Sequence, residues 1–155
     1  MNQITSDIYL SDYKSAINFH LLRRHQIRTI IFVGNFLKAG DAICNYRKLG
    51  IDHHWFWCAD SLDANIAQFF QPTCEIMARA KKPVLFHCYA GISRSATLVM
   101  AYLMAAQIVG DVLQAYQLVK LRRNVIQPNP NFINQLYAWQ AYRAVSAASH
   151  FFKKT

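Results

Sequence analysis

The stretch Pro83-Val84-Leu85-Phe86-His87-Cys88-Tyr89-Ala90-Gly91-Ile92-Ser93-Arg94-Ser95-Ala96 decides how the rest of this chain is read. Val84 to Phe86 is a short apolar run of the kind that forms a buried strand. A long apolar pattern at helical spacing runs from Ser95 to Val109. The residues between them form a loop that joins the carboxyl end of a strand to the amino end of a helix. Backbone N–H groups in such a loop point inward and, with the helix terminus, make an anion site. A cysteine sits where the strand ends, and an arginine follows six residues later. Positive surroundings favour thiolate over thiol. An ionised sulfur beside a phosphate-sized nest and a planar guanidinium suits attack on phosphate esters. The alternative is a buried structural cysteine with Arg94 in solvent.

Outward from this stretch, strand and helix signals alternate. Strands are predicted at Ile8–Leu10, at Thr29–Val33 (closed by Gly34-Asn35), at His53–Trp57 and at Val84–Phe86. Helical spacing covers Ala16–Arg24, Ala42–Leu49 behind Asp41 as N-cap, and Ala64–Ala80, where Pro72 kinks or splits the pattern. Further helices are predicted over Ser95–Val109, Val112–Arg123 and Asn131–Ser149. The interleaving predicts an α/β fold, a single domain over residues 1–155 with a mostly parallel central sheet flanked by helices. Ligands of such sheets bind at the carboxyl ends of the strands. Arg23, Arg24, Arg28, Lys81 and Lys82 precede strands and belong at the far end. Lys38 follows a strand and belongs near the site. The helix after the Ser95 helix should bring Arg122, Arg123 and the Asn124–Pro130 loop back toward it.

The 155 residues are 54% hydrophobic with only five glycines, which suits a packed core. Seventeen basic against eight acidic side chains leave a net charge of +9. That balance attracts phosphorylated or acidic partners, nucleic acid or anionic membrane, and selects none of them by itself. Cys44, Cys58, Cys74 and Cys88 show neither CxxC pairing nor zinc spacing. His53-His54 would point to opposite faces of a strand. No metal and no cofactor are assigned. The amino terminus lacks a signal-peptide pattern, and a thiolate needs a reducing compartment, so an intracellular location is expected, cytoplasmic or nuclear. Ala96–Val109 is too short, and too interrupted by Tyr102 and Gln107, to insert stably in a membrane.

The string His87-Cys88-Tyr89-Ala90-Gly91-Ile92-Ser93-Arg94-Ser95 resembles the signature of the cysteine-dependent protein tyrosine phosphatases, in its dual-specificity form. With no added docking segment, the chain is similar to the compact, atypical members. The resemblance implies the protein tyrosine phosphatase-like fold. It makes Cys88 the nucleophile and Arg94 the phosphoryl-binding side chain, with backbone donors from Tyr89, Ala90, Gly91, Ile92, Ser93 and Arg94. Ser95 would assist departure of the Cys88 sulfur; it also suits a helix N-cap. His87 would be a scaffold that bonds the loop and tunes the thiol. Trp55 to Ile66 resembles the family's acid loop, with Asp60 as general acid and Asp63 as the N-cap of the next helix. Gln127 to Leu136 resembles its Pro-Asn-x-x-Phe-x-x-Gln-Leu stretch, with Asn129 bracing the anion loop or simply forming a turn. Cys58 is expected as a buried thiol, and a reversible disulfide with Cys88 is the alternative.

Phosphorylated proteins are the expected substrates, hydrolysed at phosphotyrosine and phosphoserine/threonine. The competing expectations are an RNA 5′-phosphatase, which the net charge keeps open, a phosphoinositide phosphatase, and a pseudophosphatase that only binds phosphate. Lipid-directed relatives tend to carry lysines in the loop, where this chain has Tyr89 and Ile92. RNA-directed relatives tend to have His-Gly and Asn-Arg-Thr, where this chain has Ala90-Gly91 and Ser93-Arg94-Ser95. A binding-only protein usually loses the cysteine or the arginine, and both are kept.

Overall fold

The computed structural model describes residues 1–35 and 45–152. The central sheet has five strands, β1 (Asn2–Gln3), β2 (Ile8–Ser11), β3 (Thr29–Val33), β4 (Asp52–Phe56) and β5 (Val84–His87), in the order β1-β2-β5-β3-β4. β2, β5, β3 and β4 run parallel, and β1 pairs antiparallel with β2 at one edge. The mostly parallel sheet expected from the sequence is therefore present. β1 was not anticipated, because two polar residues carry no strand signal of their own.

β3 and β5 are buried along their whole length, as strands covered on both faces must be. Alternation along each strand sorts side chains between two layers. Ile8, Leu10, Ile31, Val33, Val84 and Phe86 face one core, built with α4 (Phe70–Arg79), α5 (Arg94–Ala105), α6 (Val112–Arg122) and α7 (Pro130–Phe152). Tyr9, Ile30 and Leu85 face the other, under α1 (Tyr13–Ala16), α2 (Phe19–Arg24) and the helical residues 45–48, here α3. α5 leads straight out of the anion loop and is the most buried helix, packed against β5, α4, α6 and α7.

Several boundaries differ from the sequence reading. The single helix expected over Ala16–Arg24 is two short ones. Asp12 caps α1 by accepting from Ser15 N, and Asn18 caps α2 by accepting from Leu21 N. Each side chain offers the backbone a local partner that starts a helix, and the cap at Asn18 separates α2 from α1. The Ala64–Ala80 helix begins only at Phe70, after a 3₁₀ turn over Ala67–Phe69. Pro72 lies in the first turn of α4, where its missing N–H costs nothing, so it does not split the helix. Asp63 caps neither element; it is exposed in the preceding turn, its carboxyl held below the ordinary range mainly by the Ser61 hydroxyl. β4 ends at Phe56 because its pairing with β3 ends at Val33, and Trp57 turns out to 58% exposure. Lys38, Asp41, Cys44 and the start of the Ala42–Leu49 helix lie outside the described residues.

Candidate active site

The carboxyl ends of β2, β3, β4 and β5 meet at one rim of the sheet, followed in turn by Asp12, Asn35, Cys58 to Asp60, and Cys88. Parallel pairing places them there, since Ser11 and Phe32 both lie opposite His87. Of the basic residues expected at the far end, Arg23, Arg28, Lys81 and Lys82 sit there, Lys81 paired with Asp52 at the start of β4. Arg23, Arg28 and Lys82 line a cavity of about 640 Å³ there, together with Leu22, Ile27 and Pro83.

Cys88 is 1% exposed, at the base of the loop. Two donors reach its sulfur. Gly91 N–H and the Ser95 hydroxyl each lie 3.2 Å from Sγ. Both donors converge on the one atom that the sequence reading makes the nucleophile. Gly91 has φ +66, and a Cβ there would stand 2.4 Å from the Ser11 carbonyl oxygen. Only glycine tolerates both the left-handed backbone and that approach. The N-cap of α5 is Ser93, without a side-chain capping bond, and Ser95 lies one residue inside the helix. The capping role considered for Ser95 is therefore absent, which leaves its hydroxyl free to serve the sulfur.

Arg94 is 7% exposed. Its Nη1 donates to Asn35 Oδ1 at 3.1 Å and to the Cys58 carbonyl at 3.2 Å. These bonds fix the guanidinium plane. Its Nε lies 3.6 Å from Asp60 Oδ2 and has no hydrogen-bond partner among the described residues. A buried N–H without an acceptor is costly and is usually matched by a ligand or water. Here it belongs to the edge through which arginine grips an oxyanion bidentately.

Asp60 follows β4, in the loop that Phe56 leaves. Its Oδ1 accepts from the Ser93 hydroxyl and from Asn129 Nδ2, both at 2.8 Å. Oδ2 is left on the side of Arg94. Asn129 also caps α7, its Oδ1 accepting from Phe132 N at 3.0 Å, and its own N–H donates to Ser93 Oγ at 3.2 Å. Asn129 thus links Ser93 of the anion loop to the loop that carries Asp60.

His87 is fully buried, stacked on Phe32 with ring centroids 4.8 Å apart. Burial pushes its pKa down to about 4, so it is neutral at pH 7. Nδ1 faces the Cys88 carbonyl at 3.2 Å and must carry the proton of that neutral ring. His87 therefore steadies the loop by a hydrogen bond, not by charge. Cys58 carries a free thiol, as do Cys74 and Cys88, and burial pushes the Cys58 pKa up to about 11. No group of His, Cys, Asp or Glu side chains among the described residues could hold a metal ion.

The sequence reading missed three supports. Asn35 orients Arg94. The Ser93 side chain links the anion loop to Asp60, where only its backbone N–H was considered. Arg123, expected to return toward the site with Arg122, turns its side chain behind the loop: Nε meets the Gly91 carbonyl at 2.8 Å and Nη2 the Ala90 carbonyl at 3.1 Å. Arg122 stays exposed. The signal for Arg123 was its place at the end of a helix that must run back toward the rim; nothing in the sequence told which of the two arginines turns inward.

Residues 8–142 match the family described as "Dual specificity phosphatase, catalytic domain". Human dual specificity protein phosphatase 9 is 34% identical over 142 residues, which cover 86% of this chain and 34% of that protein. Human dual specificity protein phosphatase 7 is 34% identical over 152 residues, 94% of this chain and 34% of that protein. The chain spans about a third of the length of these curated relatives. Among solved structures, the human tyrosine phosphatase-like serine/threonine/tyrosine-interacting protein superposes with a TM-score of 0.75 at 30% identity, covering 95% of this chain and 97% of that one. Human DUSP28 superposes with a TM-score of 0.83 at 24% identity, covering 94% and 99%, a likeness of fold.

Proposed function

Because the chain belongs to the dual-specificity phosphatase catalytic-domain family, a family of phosphoric monoester hydrolases, we propose that it hydrolyses phosphotyrosine and phosphoserine/threonine in proteins through a phosphocysteine intermediate. The observation that carries this reading is the convergence of Gly91 N–H and Ser95 Oγ on Cys88 Sγ, together with a buried Arg94 Nε that has no hydrogen-bond partner among the described residues and lies 3.6 Å from Asp60 Oδ2.

In the first step Cys88 Sγ attacks phosphorus and the ester bond breaks. The departing oxygen takes a proton from Asp60, whose Oδ2 is the oxygen not engaged by Ser93 and Asn129. Arg94 and the backbone N–H groups of the loop hold the equatorial oxygens as charge spreads over them. In the second step Asp60 takes a proton from water, the water oxygen bonds to phosphorus, and the sulfur–phosphorus bond breaks. Ser95 donates to the departing sulfur. The residues need no metal for either displacement.

Residues 1–155 act as one catalytic domain in this proposal, in a reducing intracellular compartment that keeps Cys88 a thiol. No helix among the described residues is long and apolar enough to cross a membrane. A purely phosphate-binding role is the second reading, favoured by the 30% identity to a phosphatase-like interacting protein. Turnover separates the two. Wild type should release phenol from an aryl phosphate, Cys88→Ser should release none while still binding oxyanion, and Arg94→Lys should lose most activity because an ammonium cannot grip bidentately. Absence of turnover by wild type, or wild-type rates in Cys88→Ser, would overturn the catalytic reading. A doubly phosphorylated Thr-x-Tyr peptide, assayed beside 5′-triphosphorylated RNA and phosphoinositides at equal salt, tests the substrate class. Release from tyrosine alone, or a large preference for RNA or lipid, would overturn it.

A further inference from the structure

The anion loop is held from outside as well as lined from inside. In a trans peptide the carbonyl of one residue is antiparallel to the N–H of the next. A donor that pins a carbonyl outward therefore aims the following N–H inward. Tyr13 N donates to the Tyr89 carbonyl at 2.9 Å, and Gln127 N donates to the Ile92 carbonyl at 2.9 Å. The two carbonyls between them, Ala90 and Gly91, both go to the guanidinium of Arg123. The N–H that follows Ala90 is that of Gly91, which points at Cys88 Sγ. The N–H that follows Gly91 is that of Ile92, midway between Cys88 and the start of α5 in the chain.

Arg123 is itself held. It is the C-cap of α6, with φ −139 and ψ 91, so its backbone has left the helix and its side chain can reach back under the loop. It is 9% exposed. Its Nη1 donates to Asn2 Oδ1 at 2.7 Å, and Asp12 Oδ2 lies 3.9 Å from Nη2. Asp12 in turn caps α1, whose first residue, Tyr13, supplies the donor to Tyr89. Lysine could not replace this arrangement, since a single ammonium lacks the planar fork that reaches two adjacent carbonyls while a third N–H meets Asn2.

We propose that Arg123 is a positioning residue for phosphate: by pinning the Ala90 and Gly91 carbonyls it orients the Gly91 and Ile92 N–H groups toward the oxyanion and the Cys88 sulfur. It touches neither substrate nor sulfur. The proposal rests on the phosphatase reading, and its test is read first without turnover. Tungstate affinity is measured by calorimetry on folded wild type, Arg123→Met, Arg123→Lys and, as a control for loss of surface charge, Arg122→Met; kcat and KM on an aryl phosphate follow. Arg123→Met should lower tungstate affinity roughly tenfold or more and kcat by about a hundredfold, the scale of a lost oxyanion donor. Arg123→Lys should fall between, and Arg122→Met should match wild type.

A drop in melting temperature with tungstate affinity and kcat unchanged would mean a purely structural arginine and would overturn the proposal. So would an equal loss in Arg122→Met, which would assign the effect to general charge. Should the methionine variant fail to fold, Arg123→Lys carries the test alone, and wild-type affinity and kcat in it overturn the proposal. Wild type that binds tungstate without turnover sinks the phosphatase reading but leaves this measurement valid. Wild type that binds no tungstate sinks both.

Discussion

Asn129 Nδ2 stands 2.8 Å from Asp60 Oδ1, while the other end of the same amide caps α7 through Phe132 N. One side chain thus joins the start of the last helix to the loop that carries the proposed acid. The residues are far apart in sequence and meet only because β4 and α7 both reach the rim where Cys88 lies.

Asn129→Asp separates the two duties. An aspartate still accepts from Phe132 N, so the cap survives and stability should stay within about 0.5 kcal/mol of wild type. It cannot donate to Asp60 and sets a like charge against it. We expect kcat to fall roughly tenfold. Asn129→Ala should lose the cap too, at about 1 kcal/mol in chemical denaturation. Unchanged kcat in both variants, with stability lost in Asn129→Ala and kept in Asn129→Asp, would reduce Asn129 to a cap.

Replacing Asp60 by Asn should lower kcat strongly for phenyl phosphate and much less for esters whose leaving group needs little protonation. Asp63→Asn should be near neutral, since its carboxyl is exposed and bonded only locally. A damaging Asp63→Asn with a harmless Asp60→Asn would displace the acid by three residues.

Ser95→Ala removes one of the two donors to Cys88 Sγ. Sulfur departs in the second step and needs that donor most there. A burst of phenol followed by slow turnover should appear in stopped-flow traces, with phosphocysteine trapped on rapid acid quench. Both steps slowing equally, with no burst, would contradict this role.

Gly91→Ala should destroy oxyanion binding. A Cβ would meet the Ser11 carbonyl oxygen at 2.4 Å, and φ +66 is strained for alanine. The loop must shift, taking with it the N–H that points at Cys88. Retained tungstate affinity in this variant would show that the nest tolerates a different backbone.

Acid should destabilise the protein through His87. Its pKa is lowered by burial from 6.5 to about 4 in the folded state, so between those values the unfolded chain binds the proton that the native ring refuses. Stability is then full above pH 6.5 and is lost as pH falls toward 4, by on the order of 3 kcal/mol. His53, also lowered to about 4 by burial, adds in the same direction. Denaturant midpoints of His87→Gln should fall less steeply over this range than those of wild type. Parallel slopes would show that His87 is protonated in the native protein.

Much of this architecture was legible beforehand because it depends on local pattern. The apolar runs Thr29–Val33 and Val84–Phe86 have few alternatives to a buried strand. The helix after Ser95 has a long apolar period. Between them a cysteine-to-arginine loop can only lie at the strand's carboxyl end, so Cys88, Arg94 and Gly91 were placed by chain order alone. Asp60 and Asn129 were visible through short motifs that resemble those of the family. The breaks in the Ala16–Arg24 and Ala64–Ala80 patterns were hidden, because spacing of apolar residues does not register which Asp or Asn bonds its own backbone.

What tertiary structure alone decided is who pairs with whom across the rim. Arg94 finds Asn35, just past β3, and the Cys58 carbonyl, just past β4; Ser93 finds Asp60; Arg123 finds Ala90, Gly91 and Asn2. These are contacts between segments brought together by the order β2-β5-β3-β4 and by a helix that returns after α5. Strand order is set by burying two apolar faces at once, a property of the assembled sheet. No single segment encodes it, and so the residue types of the site could be read from the chain while the hydrogen bonds that aim them could not.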